Sequence, residues 1–328
     1  MTASSIKWGS GRKGAFIEFI RAEIDRVAAQ RSSLEQKWRD WLQLYRAPYA
    51  KYSEKAFPYE GAANFPYPFA MMQVNPILAN ELQTLHATEN LWTLSPLNER
   101  WVDHAKPLQD YLQFIDRHTL KMWDTNYRIG IEKLKLGTGI YKTAWEYRQN
   151  RTTGYDENLQ RARLLSTINR PFSRHVHLFN FYLPPEALEI DPDATMGAQW
   201  VAERQRYRPS TLLAMSKGQE PFLPNFDRAA VDNIMKQREF MLTEDEQTRR
   251  ELDRLGDSYS INEQIVEVFE VHARFDTTGD GIEDDIVVKF HHKTGEILQA
   301  LYNPFAHGKR PYDAVRFLRG DGFYGIGL

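Results

Sequence analysis

The sequence predicts an α+β fold, and three observations carry the prediction. Apolar residues from Ile17 to Tyr45 recur at alternating spacings of three and four, a helix period. From Ile140 to Arg148 the pattern changes to alternation, with Tyr141, Thr143, Trp145 and Tyr147 set against Lys142 and Glu146, a strand period. Further on, Ile265–Phe275, Asp285–His292 and Glu296–Tyr302 read as a three-stranded meander whose turns are DTTGDG and KTG. Helices and strands come in separate blocks. The fold class is therefore long helices with a β-hairpin and a small antiparallel meander.

Taken in order, residues 1–14 are small, polar and basic and read as a flexible arm. Residues 15–136 read as mainly helical. A first helix of roughly 48 Å runs from Ala15 to Arg46. Its seam is Ile17, Ile20, Ile24, Val27, Arg31, Leu34, Trp38, Trp41 and Tyr45. Residues 47–70 hold Pro48, Pro58, Pro66 and Pro68 among aromatic residues, which forbids a regular helix and predicts an extended loop pressed on a surface. A second helix follows from Phe69 to Leu85. A third starts at Pro107, a good first-turn residue, and runs towards Trp123, either ending there or continuing past Asp124 to Leu136 with Gly137 as its C-cap. Residues 137–208 are β-rich and begin with a hairpin of Ile140–Arg148 and Arg161–Asn169. Residues 209–257 are helical again, and 258–328 hold the meander.

Composition excludes several classes of function. The 328 residues contain no Cys, so disulfides, thiolate metal sites and a Cys nucleophile are absent. The formal charge of −2 gives no global basic field of the kind that grips phosphates. No apolar run reaches the length of a membrane span. Aromatic residues make up 13%, a wealth that serves either a core or a permanent interface.

Candidate chemistry is sparse. The run Asp276–Asp285 matches a calcium loop at Asp276, Asp280, Gly281, Ile282 and Asp284. Thr278 and Val287 stand where further ligands are needed, so a Gly/Asp turn between strands competes with an ion site. Gly320, Gly322 and Gly325 have dinucleotide-loop spacing without the helix that such a loop requires. Gly137, Gly139 and Lys142 follow a helix, not a strand, and lack a Gly directly before the Lys of a phosphate loop. His175 with His177, and His291 with His292, have no acids at ligand spacing. No nucleophile–base pattern is present. No cofactor and no enzymatic activity are expected.

Six stretches, in this order, resemble the portal proteins of tailed bacteriophages. They are Trp38–Tyr45, Phe57–Pro66, Leu136–Glu146, Phe179–Pro185 with Ala198–Arg204, Asp276–Asp285, and Arg310–Leu328. The resemblance implies the N-terminal portion of a ring subunit, with further helices beyond Leu328. It implies a homo-oligomer of about twelve copies at one capsid vertex, in the virion and, during assembly, the host cytoplasm. It also implies partners: the major capsid protein, a head-tail adaptor, the terminase packaging motor, and double-stranded DNA passing through without sequence specificity. Within that reading Arg31, Trp38, Trp41 and Tyr45 are candidate subunit-interface residues. Arg31 interrupts the apolar seam and needs an acid on a neighbouring chain or element if it is buried. The competing reading is a helix packed on its own domain.

Overall fold

The computed structural model describes residues 4–46, 68–87, 91, 93–155, 161–216, 226–236, 265–305 and 307–328. The class is α+β, as the sequence pattern predicts. The helices are α1 (Arg12–Arg46), α2 (Phe69–His86), α3 (Val102–Phe114), α4 (Met122–Leu136), α5 (Pro209–Ser216) and α6 (Arg228–Lys236). The strands are β1 (Thr138–Tyr155), β2 (Arg161–Val176), β3 (Phe181–Tyr182), β4 (Trp200–Tyr207), β5 (Val266–Phe275), β6 (Asp284–Phe290), β7 (Ile297–Tyr302) and β8 (Tyr312–Arg316). They form two antiparallel sheets, one ordered β2-β1-β8 and the other β3-β4-β5-β6-β7.

The five-stranded sheet is covered on both faces. On one face lies the first half of α1, whose Phe16, Ile17, Ile20, Ile24 and Val27 pack on Trp200, Phe269, Val271, Ile286, Val288 and Phe290. Each such side chain contributes roughly 1.5–3 kcal/mol when fully buried. On the opposite face, α5 and α6 bury Leu212, Val231 and Ile234 against Val266, Val268 and Leu298. Strand β5 alternates between the two faces, so residues 269, 271 and 273 go to α1, and 266 and 268 go to α6. The second half of α1 leaves this sheet and drops Trp38 into another core with Leu136, Ile140, Phe179, Phe181, Tyr312 and Phe323.

Three expectations need correction. The first residues are not a free arm where they are described. Ser5 bridges to Leu301 of β7, Ile6 is buried, and α1 begins at Arg12. The arm is short and polar, but Ile6 and Trp8 find an apolar site on the core beneath α1. Pro107 does not open a helix; it lies inside α3, which starts at Val102 after a turn at Glu99–Trp101. The run from α3 to Leu136 is also not one helix. A wide π-type turn at Ile115–Leu120 ends in Lys121, whose φ of 50° is left-handed, and α4 starts anew. The same apolar period on both sides of Lys121 conceals this break.

Helix α3 is unusual in burying none of its residues. Trp101, Leu108, Tyr111 and Phe114 are each half-exposed or more, as is Trp123 at the start of α4. Nearby, α2 and α4 leave between them a groove of about 530 Å³, lined by Leu78, Leu82, His86, Trp123 and Tyr127.

Candidate functional site

The densest polar constellation joins the two sheets. In the three-stranded sheet, Arg174, Lys142 and Tyr312 sit side by side on β2, β1 and β8. In the five-stranded sheet, Glu203, Glu270 and Lys289 sit side by side on β4, β5 and β6. The two rows face each other. Lys142 Nζ donates to Glu203 Oε2 and to Glu270 Oε1, both at 2.6 Å. Arg174 donates to Glu203 Oε1 at 2.7 Å, and the Tyr312 hydroxyl donates to Glu203 Oε2 at 2.9 Å. Lys289 Nζ lies 3.3 Å from Glu270 Oε2, and Gln205 Nε2 donates to both carboxylates.

Electrostatics explains the pattern. Two glutamates directly opposite across strands repel, and burial makes this worse. A lysine placed between them from the facing sheet reverses the sign. Burial alone would push the Glu270 carboxyl up. Lys142, then Lys289 and His272, more than offset this and hold it well below the ordinary carboxylate range. Burial lowers the pKa of His272, against a 3.1 Å bond from its Nε2 to Glu270 that raises it. Burial, then Glu270 and Glu203, push the Tyr312 hydroxyl well above its ordinary value. Lys289 is raised despite its burial, chiefly by Glu270.

Lysine, tyrosine, histidine and two carboxylates are the components of an acid–base centre, but the geometry is that of a joint. Lys142, Glu203, Glu270 and His272 are 4%, 6%, 6% and 3% exposed, and the cluster reaches solvent through Arg174, whose side chain is 45% exposed, and Lys289. Each charge is directed at a partner on the other sheet or a neighbouring strand. What this arrangement does chemically is fix one sheet against the other.

A second buried carboxylate ties helix to strand. Glu132 of α4 pairs with His175 of β2 through Oε2, while Oε1 lies 3.4 Å from His177 Nε2 and accepts the Leu178 N–H at 3.2 Å. Burial would raise the Glu132 pKa; the two histidines and the N–H bring it below its ordinary value. The acid that His175 and His177 lack in sequence thus comes from α4.

The predicted interface residues separate into two groups. Arg31 and Trp38 are 4% and 1% exposed and belong to the chain's own interior. Arg31 pairs with Glu35 one turn along at 2.6 Å, and donates to the carbonyls of Phe179 and Phe181. Its partner acid is therefore on its own helix and not on a neighbour. Trp38 packs edge-on against Phe179 and Tyr324. Trp41 is 37% exposed. The Tyr45 hydroxyl donates to Asn75 of α2 at 2.7 Å, with Lys135 over its ring.

The acidic run is a hairpin turn between β5 and β6. Asp276 accepts the N–H groups of Gly279 and Gly281 and pairs with Arg12. Asp284 accepts from Thr277, and Asp285 accepts from Asn303. The run Gly320–Gly325 is a loop closed by paired bonds between Leu318 and Ile326. The stretch Phe57–Pro66 lies outside the described residues.

Sequence reading missed the charged joint, although a signal was present. Glu270 and His272 share a face of β5 with Val266 and Val268, both buried. Polar residues continuing a buried apolar face call for buried partners. No family model matches the chain, and no curated protein matches it.

Proposed function

We propose that the chain is a structural subunit of a portal-type ring at a capsid vertex, a conduit for double-stranded DNA and not an enzyme. One observation carries the reading. Residues from four of the six portal-like stretches meet in a single core. They are Trp38; Leu136 and Ile140; Phe179, Phe181, Leu183, Ala198 and Val201; and Tyr312 and Phe323. Stretches that assemble a core mark a fold and not a catalytic centre. Two features support the same reading. The charged joint buries Lys142, Glu203 and Glu270 between the two sheets, as a rigid annulus would use it. Among the described residues nothing covers the apolar face of helix α3, as in a subunit awaiting partners, since an uncovered helix of this length is marginal in water.

In this reading the chain supplies the annulus and its contact surfaces. The major capsid protein, a head-tail adaptor and the terminase packaging motor bind there, and the motor supplies the energy for DNA movement. Among the described residues no helix is long and apolar enough to cross a membrane. Negative-stain imaging of the purified protein tests the proposal, with closed rings of about twelve copies expected. A protein that remains monomeric at high micromolar concentration by sedimentation, with no rings on the grid, sinks it.

A further inference from the structure

Two uncovered apolar surfaces lie on the helical part of the chain. The first is a face of α3. His104, Leu108 and Tyr111 recur at spacings of four and three and so share one side of the helix. Trp101 packs beside His104, with ring centres 5.8 Å apart, and lengthens this face by a turn, while Phe114 flanks it. Trp101, Leu108, Tyr111 and Phe114 are each half-exposed or more. The charges of α3 lie away from this face. Asp103, Lys106 and Asp110 fall on the other sides of the helix, where Lys106 stands 3.9 Å from Asp110.

The second surface is the groove between α2 and α4. Its lining contains no Lys, Arg, Asp or Glu. Trp123 and Tyr127 stack with ring centres 5.8 Å apart to make one wall, and both remain exposed. Among the described residues nothing fills the groove. Along α2 its lining runs from Asn75 to Ala87, about 18 Å at 1.5 Å per residue. Helix α3, with 13 residues, is about 20 Å long. Ridge and groove therefore match in length, in apolar character and in their lack of charge.

We propose that α3 of one copy of the chain seats in the α2/α4 groove of a second copy, so that subunits join head to tail. An uncharged groove offers no pairing to a charged ligand and fits the apolar face of a helix, and this chain carries both halves. Three aromatic rings of about 150–250 Å² each, half-exposed, together with Leu108 put about 300–400 Å² on the α3 side. That is about half of the roughly 800 Å² that a standard interface takes from each partner. It is concentrated in aromatic side chains, the kind that anchor interfaces. Symmetric pairing of α3 on α3 would leave both grooves empty. Head-to-tail contact covers both surfaces on every copy except at the ends of an open row, and a closed ring has no ends. That closure rests on the ring reading; the contact itself does not.

Sedimentation velocity of the full chain tests the contact with two variants. Leu108→Glu with Tyr111→Glu removes the ridge, and Ala79→Arg with Gln83→Arg blocks the groove. All four positions are exposed, and Glu and Arg are good helix formers, so circular dichroism should match the parent. Leu108→Gln and Ala79→Gln, read in the same way, replace a double variant that does not fold. Each variant alone should self-associate at least about tenfold more weakly than the parent, the scale of one lost interface anchor. An equimolar mixture of the two should form a one-to-one complex, because each keeps the half that the other lacks. A groove variant that assembles like the parent overturns the proposal. So does a mixture that forms no complex, or a parent that stays monomeric at high micromolar concentration. A monomeric parent that instead floats with phosphatidylcholine vesicles assigns the aromatic face to a lipid surface, again against the proposal. Rings that persist in both variants remove this contact and leave the portal reading standing. A one-to-one complex in the mixture, with no rings in the parent, does the reverse.

Discussion

Gly137 and Gly325 pass each other backbone to backbone. A Cβ on Gly137 would lie 2.1 Å from the Gly325 carbonyl oxygen, and a Cβ on Gly325 would lie 2.4 Å from that of Gly137. Gly137 ends α4 in the left-handed region at φ 87°, turning the chain into β1. The Gly325 N–H then donates to Thr138 Oγ1, and Leu328 N–H donates to Leu134. Two glycine-bearing stretches far apart in sequence thus form one crossing, which seats the C-terminal residues against the junction between α4 and β1.

Gly137→Ala should therefore be severely destabilising, because both the space and the dihedral exclude a side chain. Overpacking and backbone strain each cost about 1–3 kcal/mol. Urea unfolding followed by tryptophan fluorescence measures this. A loss under 1 kcal/mol would mean that the two loops separate at little cost. Gly322→Ala is the control, since a Cβ there meets nothing.

Lys142→Met should cost about 3–5 kcal/mol, the range for removing one partner of a buried ion pair. It leaves Glu203 and Glu270 facing each other with their shared cation gone. Lys142→Met with Glu203→Gln and Glu270→Gln should recover part of the loss, because neutral amides do not repel. Denaturant midpoints of the single and triple variants decide the matter. A single variant as stable as the parent would show that Arg174 and Lys289 suffice.

Much of the fold was legible and much of the joint was not, for one physical reason. Periodicity reports which face is apolar, so α1 and the meander β5–β7 could be read directly. It does not report what lies opposite. Ile17 to Val27 and Trp38 belong to one seam in sequence, yet they serve two different cores. Strand β8 was hidden because Tyr312–Arg316 is short and its neighbour β1 is far away in the chain. Lys142 looked like the solvent side of a strand by alternation; only the second sheet makes it a buried cation. Arg31 looked like a residue in need of a foreign acid, although Glu35 stands one turn along the same helix.

Stability should fall on acidification, and the sign follows from two depressed pKa values. Folded His272 titrates below its ordinary 6.5, so the unfolded chain takes up its proton first and stability declines as pH drops below about 6.5. Folded Glu270 titrates well below its ordinary 4.5, so its contribution is complete above that value and is lost as pH falls further. His291, lowered to about 4 mainly by burial, adds to the first stage. Urea midpoints at pH 7.5, 6, 5 and 4 should therefore decrease throughout. His272→Gln should flatten the upper part of that decline and leave the lower part. A midpoint that rises between pH 6.5 and 5 would contradict the assignments of His272 and His291.

Trp38 and Trp41 are three residues apart on α1, and their substitution should have opposite consequences. Trp38 is 1% exposed and packs on Phe179, Tyr324 and the Arg31 guanidinium, whose carbon lies 5.7 Å from its ring centre. Truncation to alanine opens a cavity among residues from both ends of the chain. The cost should be about 3–5 kcal/mol. Trp41 is 37% exposed on the outer side, close to Leu44, which is 68% exposed. Trp41→Ala should leave the unfolding midpoint of the monomer within about 0.5 kcal/mol of the parent, as exposed substitutions do. If this side of α1 contacts another subunit, the same change should shift the full protein from rings towards monomers in sedimentation, because exposed tryptophans are frequent energetic anchors of interfaces. The two variants thus separate folding from assembly on one helix. A Trp41→Ala protein that both folds and assembles like the parent would remove α1 from the subunit interface, and the uncovered face of α3 would be the next place to look.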